Sequence, residues 1–323
     1  MFRHSSYATP RRLRRLAGAA VVTTAAAAGG LFAAAAPAAH AQPVGAGQAA
    51  AQTYTFRTID NQADPTFNQL LGINTSNVIS GYFGSGQAGH PNKGYVVKSP
   101  YAQANFTAEN FPGSGQTQVT GLNNKNDTVG FWVKNGIQRD FVEWNGSFTS
   151  YHDPNTPNVA GSVNQLLGIN DAGIAVGFYV DANGVAHPVK LNQATGHFTT
   201  IRRAAIGKNS FATGINDHGD ITGFTMNNSG TYGWLIKGNN VTTFQFPGSL
   251  PTTPLGINQN DEIVGSFVDN AGNTHGFTLV DPTGPVSHWQ QINDPNALNT
   301  PGNGTVVNGL NNAGDLVGFY TDA

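Results

Sequence analysis

The chain reads as an all-β protein, a β-propeller of about six blades, each a four-stranded antiparallel meander. Three observations predict this: one motif recurs six times, its copies are spaced by roughly the length of a propeller blade, and alternating strand-like pieces fill the intervals. No amphipathic helical pattern follows Gln42.

The motif is Gly-Ile/Leu-Asn, beginning at Gly72, Gly121, Gly168, Gly214, Gly256 and Gly309, with steps of 49, 47, 46, 42 and 53 residues. Nine residues after each first glycine stands a second, at Gly81, Gly130, Gly177, Gly223, Gly265 and Gly318. Turn-forming residues lie between, as in Asn170-Asp171-Ala172-Gly173, so each copy predicts a tight hairpin with Asn, Asp or Gly at positive φ. The two glycines fall nearly opposite each other, leaving a strip without side chains where another blade can approach the axis. This makes the hairpin strands, B and C, the ones expected to line the centre.

Two further pieces complete each copy. After the second glycine comes a strand D, such as Lys93–Val97, Arg139–Val142, His187–Leu191, Tyr232–Ile236 or His275–Leu279. Before each motif lies an alternating strand A: Tyr54–Ile59, Phe106–Phe111, Phe148–Tyr151, Phe198–Ile201, Val241–Phe246 and Trp289–Ile292. The repeats run 54–103, 104–145, 146–195, 196–239, 240–286 and 287–323, and together they form one domain over 54–323. The last copy holds A, B and C only, so the final blade is expected to be three-stranded or incomplete.

Ahead of the repeats, residues 1–41 read as a signal peptide. Arg3, Arg11, Arg12, Arg14 and Arg15 precede an Ala-rich stretch, and Ala39-His40-Ala41 supplies the small residues of a cleavage site. An extracellular location is expected, by either the general secretory or the twin-arginine route, with no membrane span left after removal. Residues 42–53 are Ala, Gly and Gln with one Pro and read as a flexible tether.

The leader contains 5 of the 16 Lys and Arg and none of the 18 Asp and Glu, leaving 11 against 18, a net charge of −7. A mildly acidic exported domain argues against nucleic acid and anionic membranes as partners. The absence of cysteine excludes a disulfide scaffold and a thiol nucleophile, so stability must come from burial.

The repeat resembles the HAF-repeat family of bacterial extracellular proteins, whose unit joins a Gly-Ile-Asn hairpin to a His-Ala-Phe-like strand. Here that strand appears as His187-Pro188-Val189, Tyr232-Gly233-Trp234 and His275-Gly276-Phe277, without the eponymous tripeptide. The resemblance spans Tyr54 to Ala323 and implies an extracellular propeller-like protein; it carries no activity with it.

No nucleophile elbow, phosphate loop or zinc motif occurs, and no catalytic residue or metal site is assigned. Turns such as Asp181-Ala182-Asn183-Gly184 and Asp269-Asn270-Ala271-Gly272 suit calcium in residue type but lack a dedicated loop's acidic spacing, and hairpins need the same residues. His187 and His275 read as structural contacts. The A–B connections carry non-repeating residues, among them Asp60, Asp64 and Lys208, and His152, Asp153, Arg202, Arg203 and Asp294 are the candidate ligand-binding set. Asp153 and Asp294 each precede a proline, so turn initiation accounts for them as well. The four tryptophans are either stacking platforms for sugars or core packing. The expected function is a binding or interaction module, with an extracellular glycan or a surface protein as partner. The alternatives are a polysaccharide hydrolase or lyase acting on the A–B face, and a structural or adhesive protein with no small ligand.

Overall fold

The computed structural model describes the backbone of His4–Ser6 and residues 53–249, 251–285 and 288–322. The signal-peptide reading of 1–41 and the tether over 42–53 lie outside the described residues, apart from that short backbone piece and Thr53.

Each motif asparagine opens a hairpin turn, and the residue three places on has positive φ: Asn77, Asn126, Gly173, Gly219, Asp261 and Gly314. The asparagine side chain holds this turn closed. In the third copy Asn170 Oδ1 accepts the N–H groups of Ala172 (3.1 Å) and Ile174 (3.0 Å).

The hairpins build five four-stranded antiparallel sheets. The first is β2 (Asn68–Ile73), β3 (Ile79–Phe83), β4 (Lys93–Val97) and β5 (Phe106–Ala108); the second is β6 (Gln116–Leu122), β7 (Thr128–Lys134), β8 (Ile137–Trp144) and β9 (Ser147–Tyr151). The third is β10 (Asn164–Ile169), β11 (Ile174–Val180), β12 (Ala186–Asn192) and β13 (His197–Thr200); the fourth is β14 (Ser210–Ile215), β15 (Ile221–Asn227), β16 (Gly230–Lys237) and β17 (Asn240–Phe244). The fifth is β18 (Thr252–Ile257), β19 (Ile263–Val268), β20 (Thr274–Leu279) and β21 (Trp289–Ile292). A sixth, three-stranded sheet pairs β22 (Thr305–Leu310) with β23 (Leu316–Asp322) and adds β1 (His4–Ser6) in parallel on β23.

The sheets are offset by one strand from the sequence copies. Each holds B, C and D of one copy and the A strand of the next, so A is the outer edge of the preceding blade. The expected strand at Tyr54–Ile59 is therefore corrected: it has no preceding sheet in chain order and forms no ladder. It lies instead against the sixth sheet. Tyr54 and Phe56 pack on a cluster that includes Val307, Leu310 and Leu316, and Thr58 Oγ1 is 3.3 Å from the Tyr320 hydroxyl.

Two closed rings of contacts show that six sheets surround one axis. A Cβ on any motif glycine would lie 3.2–3.3 Å from the Cα of the next copy's glycine, and the series returns from Gly309 to Gly72. Beside it runs a ring of hydrogen bonds in which each motif asparagine donates through Nδ2 to the next one's carbonyl. Asn74 reaches Asn123 at 3.0 Å, Asn123 reaches Asn170 at 3.3 Å and Asn170 reaches Asn216 at 3.1 Å. Asn216 reaches Asn258 at 3.2 Å, Asn258 reaches Asn311 at 3.3 Å, and Asn311 returns to Asn74 at 3.4 Å.

The second glycine of each pair has a different task from the first. Every B–C pair carries a β-bulge just before the motif glycine, between Leu166 and Gly168 in the third sheet. The second glycine sits across from this bulge, where a Cβ at Gly177 would lie 1.8 Å from the Gln165 carbonyl oxygen. The expected single bare strip is thus two sites, one at the axis and one inside the blade.

The core is a series of clusters between neighbouring blades. One joins Val176 of the third sheet to Ala212, Ile215, Ile221, Trp234 and Ile236 of the fourth. All four tryptophans serve packing. Trp234 is fully buried, Trp132 stacks on Phe111 at 4.4 Å, Trp144 joins the cluster between the second and third sheets, and Trp289 packs on Phe244, Phe246 and Phe277.

Candidate functional site

The two ends of the axis differ in kind. At the hairpin end the residue after each motif asparagine forms a further run of bonds, from backbone N–H to the next blade's side chain. Thr75 donates to Asn124, Asn124 to Asp171, Asp171 to Asp217, Asp217 to Gln259 and Gln259 to Asn312, at 2.7–3.1 Å. Polar groups at this mouth are engaged with one another, and the pattern repeats from blade to blade. Nearby, His218, Asp220 and Asp261 bring candidate metal-ligand atoms within 4.8 Å of one another. Asp261 is already held by Lys237 Nζ (2.5 Å) and Asn216 Nδ2 (2.8 Å), and burial, with the Asp261 charge second, raises the pKa of Asp220.

At the opposite end lie the C–D turns and the A–B connections, which cross from the outer strand of one blade to the inner strand of the next. These crossings differ in length and sequence. Arg202, Arg203 and Lys208, on the crossing from the third to the fourth sheet, are all exposed, and none forms an ion pair among the described residues. His152 and Asp153 sit on the neighbouring crossing from the second to the third sheet. His152 is half-buried; its burial, and secondarily Arg139, lower its pKa below the ordinary imidazole value. Asp153 is fully buried and caps its own turn, accepting from the N–H of Asn155 at 2.8 Å. Asp294 does the same for Asn296 at 2.8 Å, on the crossing between the fifth and sixth sheets, half a ring away. The five candidates are therefore not one site: the arginines are presented outward, while both aspartates are turn residues.

The histidines singled out in the repeat clamp turns. His187 Nε2 is 2.9 Å from Asp181 Oδ2, and His275 Nε2 is 3.0 Å from Asp269 Oδ2. The other carboxylate oxygen of each aspartate accepts turn N–H groups, from Asn183 and Val185 in one and Ala271 and Asn273 in the other. The hydrogen bond from His187, with help from the Val185 amide, draws the Asp181 carboxyl down to about 2. A similar pair joins His90 Nδ1 to Asp64 Oδ2 at 2.6 Å.

One buried group was not singled out by the sequence reading. Asp140, on β8, is fully buried between the second and third blades; Oδ1 accepts the Leu166 N–H at 2.9 Å, and Oδ2 has no partner. Burial pushes its pKa well above the carboxylate range, and the nearby Asp153 charge adds to this. The signal lay in the alignment of D strands, where three of the four other copies place glycine (Gly94, Gly233, Gly276) and the fourth Pro188. At Gly94 a Cβ would lie 2.4 Å from a crossing's backbone oxygen, whereas the second blade accommodates a whole carboxylate.

Glu109, at the start of the first crossing, is pushed up to about 7 by burial and by Glu143, against a hydrogen bond from Thr128. The folded protein therefore holds an extra proton between the ordinary value of 4.5 and about 7. Stability should fall as pH rises through that window and level off above it. Replacing Glu109 with Gln should flatten this fall, which urea titrations at pH 5 and pH 8 would measure.

No protein-family model matches the chain, and no curated protein is found to be similar to it. Solved structures do resemble it. TolB from Acinetobacter baumannii aligns with a TM-score of 0.52 at 10% identity, covering 71% of this chain and 60% of that one. A nidogen/laminin complex aligns at 0.42 with 11% identity, over 69% of this chain and 78% of the other. A prolyl endopeptidase aligns at 0.46 with 9% identity, over 70% and 35%. At 10% identity the likeness to TolB shows the fold alone, and the chain spans less than two thirds of the TolB chain. Among the described residues no helix is long and apolar enough to cross a membrane.

Proposed function

We propose that this β-propeller is an exported binding module that engages an anionic ligand, such as an acidic polysaccharide or an acidic surface protein, through its crossing face. The single observation that carries the reading is the cationic crossing Arg202–Lys208: three exposed positive charges with no ion pair among the described residues, on a domain whose net charge is −7. Exposed guanidinium groups on a variable loop are poised for carboxylate or sulfate, which they can grip bidentately. The resemblance to HAF-repeat proteins and the Arg- and Ala-rich leader support the extracellular setting. A glycan reading based on stacking is weaker, because none of the four tryptophans is exposed. Hydrolysis is not favoured either, since Asp140 and Asp153 are fully buried and cannot touch a polymer.

The test is calorimetric titration of the protein with acidic and neutral polysaccharides, with calcium and again with chelator. Saturable binding of the acidic polymers, weakening about tenfold between 50 and 300 mM salt, is expected. Equal binding of neutral polymers, or no binding to either, would remove the anionic reading.

A further inference from the structure

The buried group around Asp140 has a composition that a propeller core does not need. Five oxygens there are buried and without a hydrogen-bond partner: Asp140 Oδ2, Asp153 Oδ2, Asn164 Oδ1, Gln165 Oε1 and Thr156 Oγ1. The first four residues are fully buried, and Thr156 is 4% exposed. Orphaned polar atoms are rare in folded proteins, and five on one crossing, β8 and β10 call for a partner.

Contacts join β8 to β10, and a separate turn holds Asp153 with Thr156. Asp140 Oδ1 is bonded to the Leu166 amide, Gln138 Oε1 accepts from the Asn164 N–H (3.1 Å) and from Gln165 Nε2 (3.2 Å), and Asp153 begins the turn that contains Thr156. The first blade shows what the position of Asn164 ordinarily does. There Asn68 Oδ1 accepts the Asn61 N–H at 3.0 Å and its Nδ2 donates to the Asp64 carbonyl at 2.8 Å, which stitches the crossing to the inner strand. Asn164 faces the equivalent crossing, and neither atom of its amide has a partner. The crossing over 152–163 is thus arranged around something other than this asparagine.

We propose that Asp140 and Asp153, with the amide oxygens of Asn164 and Gln165, form an interior site for a hard divalent cation, calcium in preference to magnesium. Two carboxylates match a double positive charge, and oxygens alone are the ligand set of such ions. Neutral amide ligands on a crossing loop favour calcium, whose geometry is more permissive than the strict octahedron of magnesium. The ion would tie the second blade's D strand to the crossing and the third blade's inner strand. Its role is structural, and it does not depend on the anionic ligand.

The experiment uses the full chain, stripped with EDTA and then titrated with calcium chloride or magnesium chloride, with bound metal measured by mass spectrometry and unfolding followed by heating. About one tightly held calcium per chain is expected, with a rise in Tm of several degrees and a smaller rise for magnesium. Asp140→Asn and Asp153→Asn should each weaken calcium binding at least tenfold and remove the rise, whereas Asp181→Asn, at a C–D turn, should change neither. If an Asp140 variant fails to fold, the wild-type titration decides alone. No bound calcium and no Tm shift in the wild type would overturn the site and leave Asp140 as a protonated acid. Calcium binding that persists unchanged in Asp140→Asn or Asp153→Asn, or is lost in Asp181→Asn, would overturn it equally.

Discussion

Gly177→Ala should abolish cooperative folding, or cost more than about 4 kcal/mol where the variant stays soluble. The added Cβ would sit 1.8 Å from the Gln165 carbonyl oxygen and 2.8 Å from the Leu166 Cα, both backbone atoms that no rotamer change can move. Relief would require flattening the bulge between Leu166 and Gly168, and that bulge sets the face on which Leu166 meets the core. Gly168→Ala should be milder, at about 1–2 kcal/mol, because its nearest contacts, Gly214 Cα and the Thr213 oxygen, stand at 3.3 Å. The double variant should lose at least the sum, since the bulge lies between the two sites. Urea unfolding of the three variants gives these values, and a Gly177→Ala protein within about 1 kcal/mol of wild type would contradict the register of the hairpin.

Asn170→Asp should destabilise the fold by about 3 kcal/mol at neutral pH although it changes one atom. The aspartate keeps the Oδ1 that accepts the Ala172 and Ile174 amides, so the turn survives. What is lost is the Nδ2 donor to the Asn216 carbonyl, and a carboxylate oxygen then faces a carbonyl oxygen in a ring position only 6% exposed. Protonation restores a donor. The folded-state pKa of the new carboxyl should therefore stand above its unfolded value, and stability should recover as pH falls and be lost as pH rises through that folded value. Asn216→Asp should follow the same pH dependence with a larger loss, because its Nδ2 also donates to Asp261 Oδ1 at 2.8 Å and the new carboxylate would face that one. A pH-independent loss confined to one position would argue against a closed ring.

The residues that announce the fold are the ones that meet at its axis. Gly-Ile/Leu-Asn stands out in the sequence because the glycine must admit the next blade's glycine and the asparagine must both cap its turn and reach its neighbour. Repetition made these legible, since six sites with one geometry accept one solution. The bulge was hidden, for it changes register without requiring a particular residue type at the extra position. The phase of the sheets was hidden as well: strand A reads the same whether it edges its own blade or the preceding one, and only the ladder pairing distinguishes them. The crossing face was legible as variable, and Arg202 and Arg203 are indeed exposed there, but an aspartate before proline could not be separated from a ligand group until its turn amides were seen. Asp140 was missed because it lies within a strand, where a departure from glycine, like that of Pro188, passes for ordinary drift.

On the proposed reading, recognition belongs to the crossing face while the hairpin face closes the ring. Titration of one acidic polysaccharide into three proteins tests it directly: wild type, the triple variant Arg202→Ala/Arg203→Ala/Lys208→Ala, and the hairpin-face variant Asp171→Asn/Asp217→Asn. The hairpin-face changes keep the Oδ1 acceptors of that end, as Asn124 and Asn312 already do at equivalent places. At least a tenfold loss of affinity is expected in the triple variant, and unchanged affinity in the hairpin-face variant. Unchanged binding by the triple variant, or an altered affinity confined to the hairpin-face variant, would contradict it.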